Sequence, residues 1–285
     1  MLGLPRSCRE EYMNTEIETH YGGSGDLAAR IRNSFIAAGK DIERLTTKDL
    51  AAVDEFHIRG RQATLELADR MELTQGCHVL DIGSGLGGPA RTLAETYGCS
   101  VTGIELSQNF CEAATMISGW LGLSDKVRFV HGDATKLPCG PASFDAAMTI
   151  HVAMNIPAKD TLYASAKQAL KPGRIFAVYD VLQGEGGPVL FPVPWARDPS
   201  ISALATPGEM RQLLSEASFE ILEEIDSTEA SLVWFQEMSV RMAKEGPPPV
   251  TFQSFLGADF PQMVRNQVQN LAEKRIRTVA YICRA

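Results

Sequence analysis

The spacing of apolar residues changes character near residue 76. Before it the chain is largely polar with a helical period: Thr64, Leu67, Ala68 and Met71 fall at i, i+3, i+4 and i+7, the stripe of a helix with one buried face. The expectation is a helical lid over residues 1–75. From Cys77 onward, short β-branched runs alternate with amphipathic segments. The run 78–82 leads to a stripe of Ala90, Leu93, Ala94 and Tyr97, and the run 100–106 leads to Phe110, Ala114, Ile117 and Leu121 behind a Ser107 cap. A third run covers 126–133. Strand and helix in alternation predict βαβ units, hence a parallel sheet with helices on both faces. Residues 144–150 add a fourth strand and a helix near 159–170, and residues 174–181 a fifth strand after the turn Leu170, Lys171, Pro172, Gly173.

Past Val181 the chain becomes rich in Gly and Pro yet carries Leu190, Phe191, Val193 and Trp195, too apolar for a plain linker. Thr206 and Glu209 then have the spacing of a capping box, with Pro207 at the first helical position and Met210, Leu213, Leu214 and Ala217 as the buried stripe. A sixth strand over 219–226, a helix over 229–245, a Pro-rich break, a helical piece near 261–273 and an alternating final strand over 275–285 complete the series. The second unit is therefore residues 76–285, with cap insertions near 183–205 and 246–275.

Composition removes several classes of function. Lys and Arg number 27 against 35 Asp and Glu, a net charge of -8 that argues against a phosphate-tracking surface and so against nucleic acid as a partner. The six cysteines are scattered without a C-x-x-C pair, as expected of reduced thiols rather than a zinc site. Arg6 and acidic residues interrupt the start before an apolar core of a leader develops, and no uncharged apolar run reaches the roughly 18 residues of a membrane helix. A cytoplasmic protein without membrane insertion is the expectation.

The candidate chemistry begins at the end of the first strand, in Asp81, Ile82, Gly83, Ser84, Gly85, Leu86, Gly87 and Gly88. Glycines at a strand-to-helix turn let the chain bend sharply and let a ligand approach the backbone. The spacing satisfies both a dinucleotide fingerprint and an acidic variant of it. Asp81 separates them, because a carboxylate there suits a cationic ligand better than a pyrophosphate. Glu105 closes the second strand 24 residues beyond Asp81, near the spacing at which an acid reaches ribose hydroxyls. Asp133, after the third strand, is a further polar group positioned for an adenine amino group. His151 ends the fourth strand, where ligands of open α/β sheets gather.

In these motifs the chain resembles the class I S-adenosylmethionine-dependent methyltransferases, with matches in order over residues 77–181. The resemblance implies a Rossmann-like, doubly wound α/β sheet of seven strands, mostly parallel with an antiparallel last strand, under a helical lid and cap. It implies S-adenosylmethionine as cosubstrate and no metal. Asp81, Gly83 and Gly85, with Ser84 between the glycines, would hold the methionine portion, Glu105 the ribose, Leu106 one adenine face, and Asp133 with Ala134 the adenine edge. The chain looks most like a small-molecule branch that includes sarcosine and dimethylglycine, phosphoethanolamine, tocopherol and quinone methyltransferases. In that setting His151 is the expected acceptor-side base, and Tyr21, His57 and Trp195 are expected on the acceptor and lid side. The acceptor atom stays open between nitrogen, oxygen and carbon, and the assembly between a monomer and a homodimer. Two other readings share the glycines: an NAD-dependent oxidoreductase, which leaves Asp81 and Asp133 without a role, and a non-catalytic S-adenosylmethionine-binding protein.

Overall fold

The computed structural model describes residues 14–17, 19–20, 26–248 and 250–285. One sheet organises them. Its seven strands run in the order β3 (Val127–His131), β2 (Ser100–Glu105), β1 (His78–Ile82), β4 (Phe144–Ile150), β5 (Leu170–Gln183), β7 (Ile276–Arg284), β6 (Glu220–Asp226). Pairing is parallel from β3 through to β5, and β7 lies antiparallel between β5 and β6. The order reverses direction between β1 and β4, so the crevice outside their carboxyl ends is the natural place for a ligand.

Both faces of the central strands are buried, because right-handed βαβ connections put helices on each side. Val79, Met148 and Ala177 meet Leu67 and Leu93 from the helices Gly60–Ala68 and Gly88–Tyr97. Leu80, Ala147 and Val178 meet Leu162 and Leu214 from the helices Lys159–Ala169 and Pro207–Glu216 on the other face. The amino-terminal helix Leu27–Ala37 packs Leu27, Ile31 and Phe35 with Ile117 of the helix Gln108–Trp120. The expected capping box at Thr206 forms, with Glu209 Oε2 accepting from the Thr206 backbone N–H at 2.7 Å and Thr206 Oγ1 accepting from the Glu209 N–H at 3.2 Å.

The fifth strand differs from the expectation. It starts at Leu170, which pairs with Phe144; register with β4 then breaks, to resume at Ile175 opposite Ala146. The Lys-Pro-Gly segment is thus an excursion within the strand rather than a turn before it. Its Gly173, at φ 75°, donates its N–H to the Ala285 carbonyl at 2.6 Å.

A separate cluster forms the cap. Ile58, Met154, Trp195, Phe235, Leu271 and Ile276 pack together, joining the amino-terminal region, the segment after β5 and the helices Thr228–Glu245 and Phe260–Ala272. Trp195 is buried with its indole N–H donating to Ser202 Oγ at 3.1 Å, and Asn155 Nδ2 donates to the Trp195 and Ile201 carbonyls at 2.8 and 2.7 Å. Lys159 Nζ ties the loop after β4 to the same segment, donating to the Ile156 carbonyl at 2.7 Å and to the Ala203 carbonyl. Among the described residues no helix is long and apolar enough to cross a membrane.

Candidate functional site

The chain leaves β1 through Gly83 at φ 74° and Gly85 at φ 54° before entering the helix at Gly88. The two glycines answer different needs. A Cβ on Gly83 would lie 2.4 Å from Cγ2 of Val152, whereas a Cβ on Gly85 would meet nothing within 4 Å. The sequence suggests that Gly83 clears space for a ligand. That reason is corrected: the protein's own Val152 fills the space at Gly83, and Gly85 is the position that opens onto a void.

Glu105 fixes this turn. Its Oε2 accepts from the Gly85 N–H at 2.8 Å and its Oε1 from the Ser107 N–H at 2.9 Å. Burial pushes its pKa up, opposed by those N–H donors. Asp133 Oδ1 accepts from the Thr135 N–H and hydroxyl at 2.8 and 2.7 Å, and its Oδ2 from Asn14 Nδ2 at 3.1 Å, so the amino-terminal segment reaches this corner. Glu105, Leu106, Asp133, Ala134, Ser84 and Gly85 all line one cavity of about 840 Å³. Asp81 does not: it stands behind the turn, outside the wall that the described residues form. Its Oδ2 and the Ser84 hydroxyl are sealed without a hydrogen-bond partner among the described residues.

Two acids that the motifs left unassigned enter the same region. Asp54 and Glu55, at the end of the helix Thr47–Asp54, are buried and line the cavity. Glu55 accepts from the hydroxyls of Thr64 and Thr92, each at 2.6 Å. Asp54 Oδ2 accepts from Arg91 at 2.8 Å, and Arg91, wholly buried, also donates to Ser118 Oγ and the Ala114 carbonyl at 3.1 Å and to the Leu86 carbonyl. One guanidinium thus faces several buried carboxyls. Burial, with Glu55 and Glu105 adding repulsion, pushes Asp81 up to about 8. Burial raises Asp54 to about 6 in spite of Arg91.

These two aspartates hold protons more tightly in the folded chain than in the unfolded one. Their contribution to stability is therefore full below about pH 4 and is lost as pH rises through about 6 and about 8. The melting temperature of the ligand-free protein is expected to fall between about pH 5 and pH 8, and Asp81→Asn to flatten the upper half of that slope. A slope equally steep in the variant, read by calorimetry, would contradict the charge assignment at Asp81.

His151 follows β4 in the left-handed region, φ 53°, where a side chain is held only under constraint from its surroundings. Its backbone N–H extends the ladder to the Tyr179 carbonyl at 2.7 Å, and its ring centroid lies 5.0 Å from that of Tyr179 and 5.9 Å from that of His57. Its Nε2 is sealed without a partner among the described residues. Burial first, and His57 second, hold it well below the ordinary imidazole range, so the ring is neutral at pH 7. His57 Nε2 lies 2.9 Å from the Gly60 carbonyl, 3.2 Å from Thr64 Oγ1 and 3.7 Å from Glu55 Oε2. A proton on that nitrogen would be donated to the Gly60 carbonyl, the nearest of the three. Burial, with Arg59 adding repulsion, lowers His57 to about 4. Val152, next to His151, presses on Gly83, while Ile58, next to His57, belongs to the cap cluster. Both histidines line the cavity between the glycine turn and the cap, as Trp195 lines it from the cap. Tyr21 lies outside the described residues. The composition of the cap wall was not legible as such: Trp234 and Met238, from a helix expected merely as a helix, line it too.

A doubly wound sheet with a capped crevice at its switch point is the framework of an enzyme acting on small molecules. Comparisons with known proteins narrow the class. Residues 80–178 match a family described as a methyltransferase domain. The chain is 30% identical over 218 residues to the O-methyltransferase cnsE of Penicillium expansum, covering 75% of this chain and 76% of that protein. It is 39% identical over 116 residues to the sterol 24-C-methyltransferase ERG6B of Gibberella zeae, covering 41% of this chain but 30% of that longer relative. A geranyl diphosphate C-methyltransferase from Streptomyces coelicolor A3(2), solved with Mg2+, geranyl-S-thiolodiphosphate and S-adenosyl-L-homocysteine, superposes with a TM-score of 0.69 at 14% identity, with 99% of each chain covered. That likeness shows the fold. The chain belongs to the class I S-adenosylmethionine-dependent methyltransferases, and its reaction is methyl transfer to a small molecule. Membership decides against the dinucleotide reading of the glycines.

Proposed function

We propose that Gly83, Ser84 and Gly85 hold the methionine portion of S-adenosylmethionine, Glu105 its ribose, Leu106, Asp133 and Ala134 its adenine, and that Asp81, mainly protonated in the empty site, gives up its proton from behind the turn as the cationic ligand binds. The observation that carries this is Gly85: a left-handed residue, its N–H held by Glu105, bordering open space where any side chain would stand. The residues fit the cosubstrate chemically, since sealed, unpartnered Asp81 and Ser84 oxygens border the same turn and buried acids favour a positively charged ligand over a pyrophosphate.

When bound, S-adenosylmethionine supplies an electrophilic methyl group on a sulfonium. The chain's work is then alignment, exclusion of water and, for an acceptor that must lose a proton, a base. His151 is the base in this proposal: a neutral ring at the β4 end, between the turn and the cap. His57 orients the acceptor, and Trp195 shields it. The described residues of the amino-terminal unit, of the insertion at 183–205 and of the segment 246–275, joined by the helix Thr228–Glu245, close over the site in this proposal. Transfer without a metal is part of the reading. The net charge of -8 supports a reading without a nucleic-acid partner, and a cytoplasmic setting, as monomer or homodimer, is part of the same proposal.

The test is a labelled-methyl assay against a metabolite library, run with a chelator and read by mass spectrometry of the product. On the acceptor so found, His151→Ala is expected to slow transfer about a hundredfold, the lower end of what a positioned base contributes, with cosubstrate affinity little changed. The acid limb of the parent should lie below the ordinary imidazole range, because burial depresses this ring. Retention of both rate and pH profile in the variant would refute the base role.

A further inference from the structure

We infer that the acceptor is a bulky, largely apolar molecule without a phosphate or carboxylate group, seated against the cap. The inference rests on the site reading proposed above. The cavity, about 840 Å³, lies near the upper end of the roughly 300–1,000 Å³ of small-molecule sites and has room for two ligands side by side. Its acids gather at the strand ends and at the adjoining Asp54 and Glu55, whereas the polar residues from the cap are, apart from Arg265, uncharged: Ser239, Thr251, Gln253 and Gln267. The cap contributes Phe56, Trp195, Trp234 and Phe252, together with Met238 and Met242. The Phe56 and Phe252 rings stack with centroids 3.7 Å apart, giving a broad, rigid apolar face. Unbranched thioethers beside it adapt to an irregular carbon skeleton.

The charge of the described lining disfavours the opposite chemistry. Among the described residues that line the cavity, Asp54, Glu55, Glu105 and Asp133 are acids, and Arg265 is the one Lys or Arg. Arg265 is exposed, and its guanidinium donates to Gln262 Oε1 at 2.7 Å. A phosphate drawn into this space would lose its water without the cluster of cations or the bidentate arginine pair that replaces it elsewhere. An uncharged polycyclic or extended skeleton loses nothing comparable and gains from every apolar area it covers.

The test uses Nile red, an uncharged polycyclic dye, titrated into the full chain with and without saturating S-adenosylhomocysteine. Saturable binding of one dye per chain is expected in both states, with energy transfer from tryptophan. Met238→Lys is expected to weaken it about tenfold or more by setting a charge in the wall, and Met238→Leu to preserve it. Calorimetry should find the same affinity for S-adenosylhomocysteine in both variants, which certifies that they are folded. Absence of saturable dye binding, equal binding by Met238→Lys, or displacement of the dye by inorganic pyrophosphate more readily than by an uncharged polycyclic alcohol would overturn the inference. Failure of the parent to bind S-adenosylhomocysteine would instead overturn the cosubstrate assignment, with the dye titration still reading the cap.

Discussion

Arg91→Leu is expected to lower the unfolding free energy by about 3–5 kcal/mol, the usual consequence of removing one member of a buried ion pair. The side chain is fully buried and serves Asp54, Ser118 and two carbonyls at once. Without it, the Asp54 carboxylate is left beside Glu55, which already repels it, with both side chains buried. Asp54 can escape by taking up a proton, so the loss measured by urea denaturation should be smaller at pH 5 than at pH 8. Adding Asp54→Asn should recover part of it, because the stranded charge rather than the missing contact dominates. A loss under about 1 kcal/mol, of the size seen for exposed pairs, would mean that Arg91 is not the counter-charge of this region.

The glycine turn gives the second large effect, and it separates two neighbouring positions. Gly83→Val is expected to abolish cosubstrate binding and to destabilise the fold, since a β-branched residue at φ 74° would also be driven into Val152. Gly85→Ala meets no protein atom within 4 Å and should cost only the left-handed backbone penalty of about 1–2 kcal/mol. Its circular dichroism should be normal while its affinity for S-adenosylmethionine falls about tenfold or more, as a methyl group takes up the room a ligand needs. Undiminished affinity in calorimetry would show that Gly85 does not face the cosubstrate.

Much of the framework was readable because it is local. Periods of 2 and 3.6 marked the strands and stripes, Thr206 and Glu209 announced a helix start, and strand ends located Gly85, Glu105, Asp133 and His151 on one crevice. What escaped depends on partners far along the chain. Arg91 sits in an amphipathic helix where an arginine ordinarily reads as surface; its burial follows from Asp54, 37 residues earlier. Nothing in its spacing along the chain assigns Glu55 a partner until Thr64 and Thr92 are brought to it. The helix Thr228–Glu245 was legible as a helix, but periodicity says nothing about which neighbour covers Phe235 or which void Trp234 and Met238 face. The glycine spacing likewise identified the turn without revealing that Val152 is what forbids a side chain at Gly83.

Strand ends and cap wall a single cavity, to which Gly85, Trp234 and Phe252 all contribute. That continuity makes the enzyme open to bisubstrate inhibition. An adenosyl unit joined by a short tether to an apolar skeleton would engage the second half of the cavity as an intramolecular event, at an effective concentration in the millimolar range. A skeleton too weak to bind usefully alone would then still add to the affinity of the whole. The tether's length becomes the selective element: it must match the span from turn to cap in this chain, so a compound cut to that distance would pass over methyltransferases whose caps sit nearer to or farther from their glycine turn.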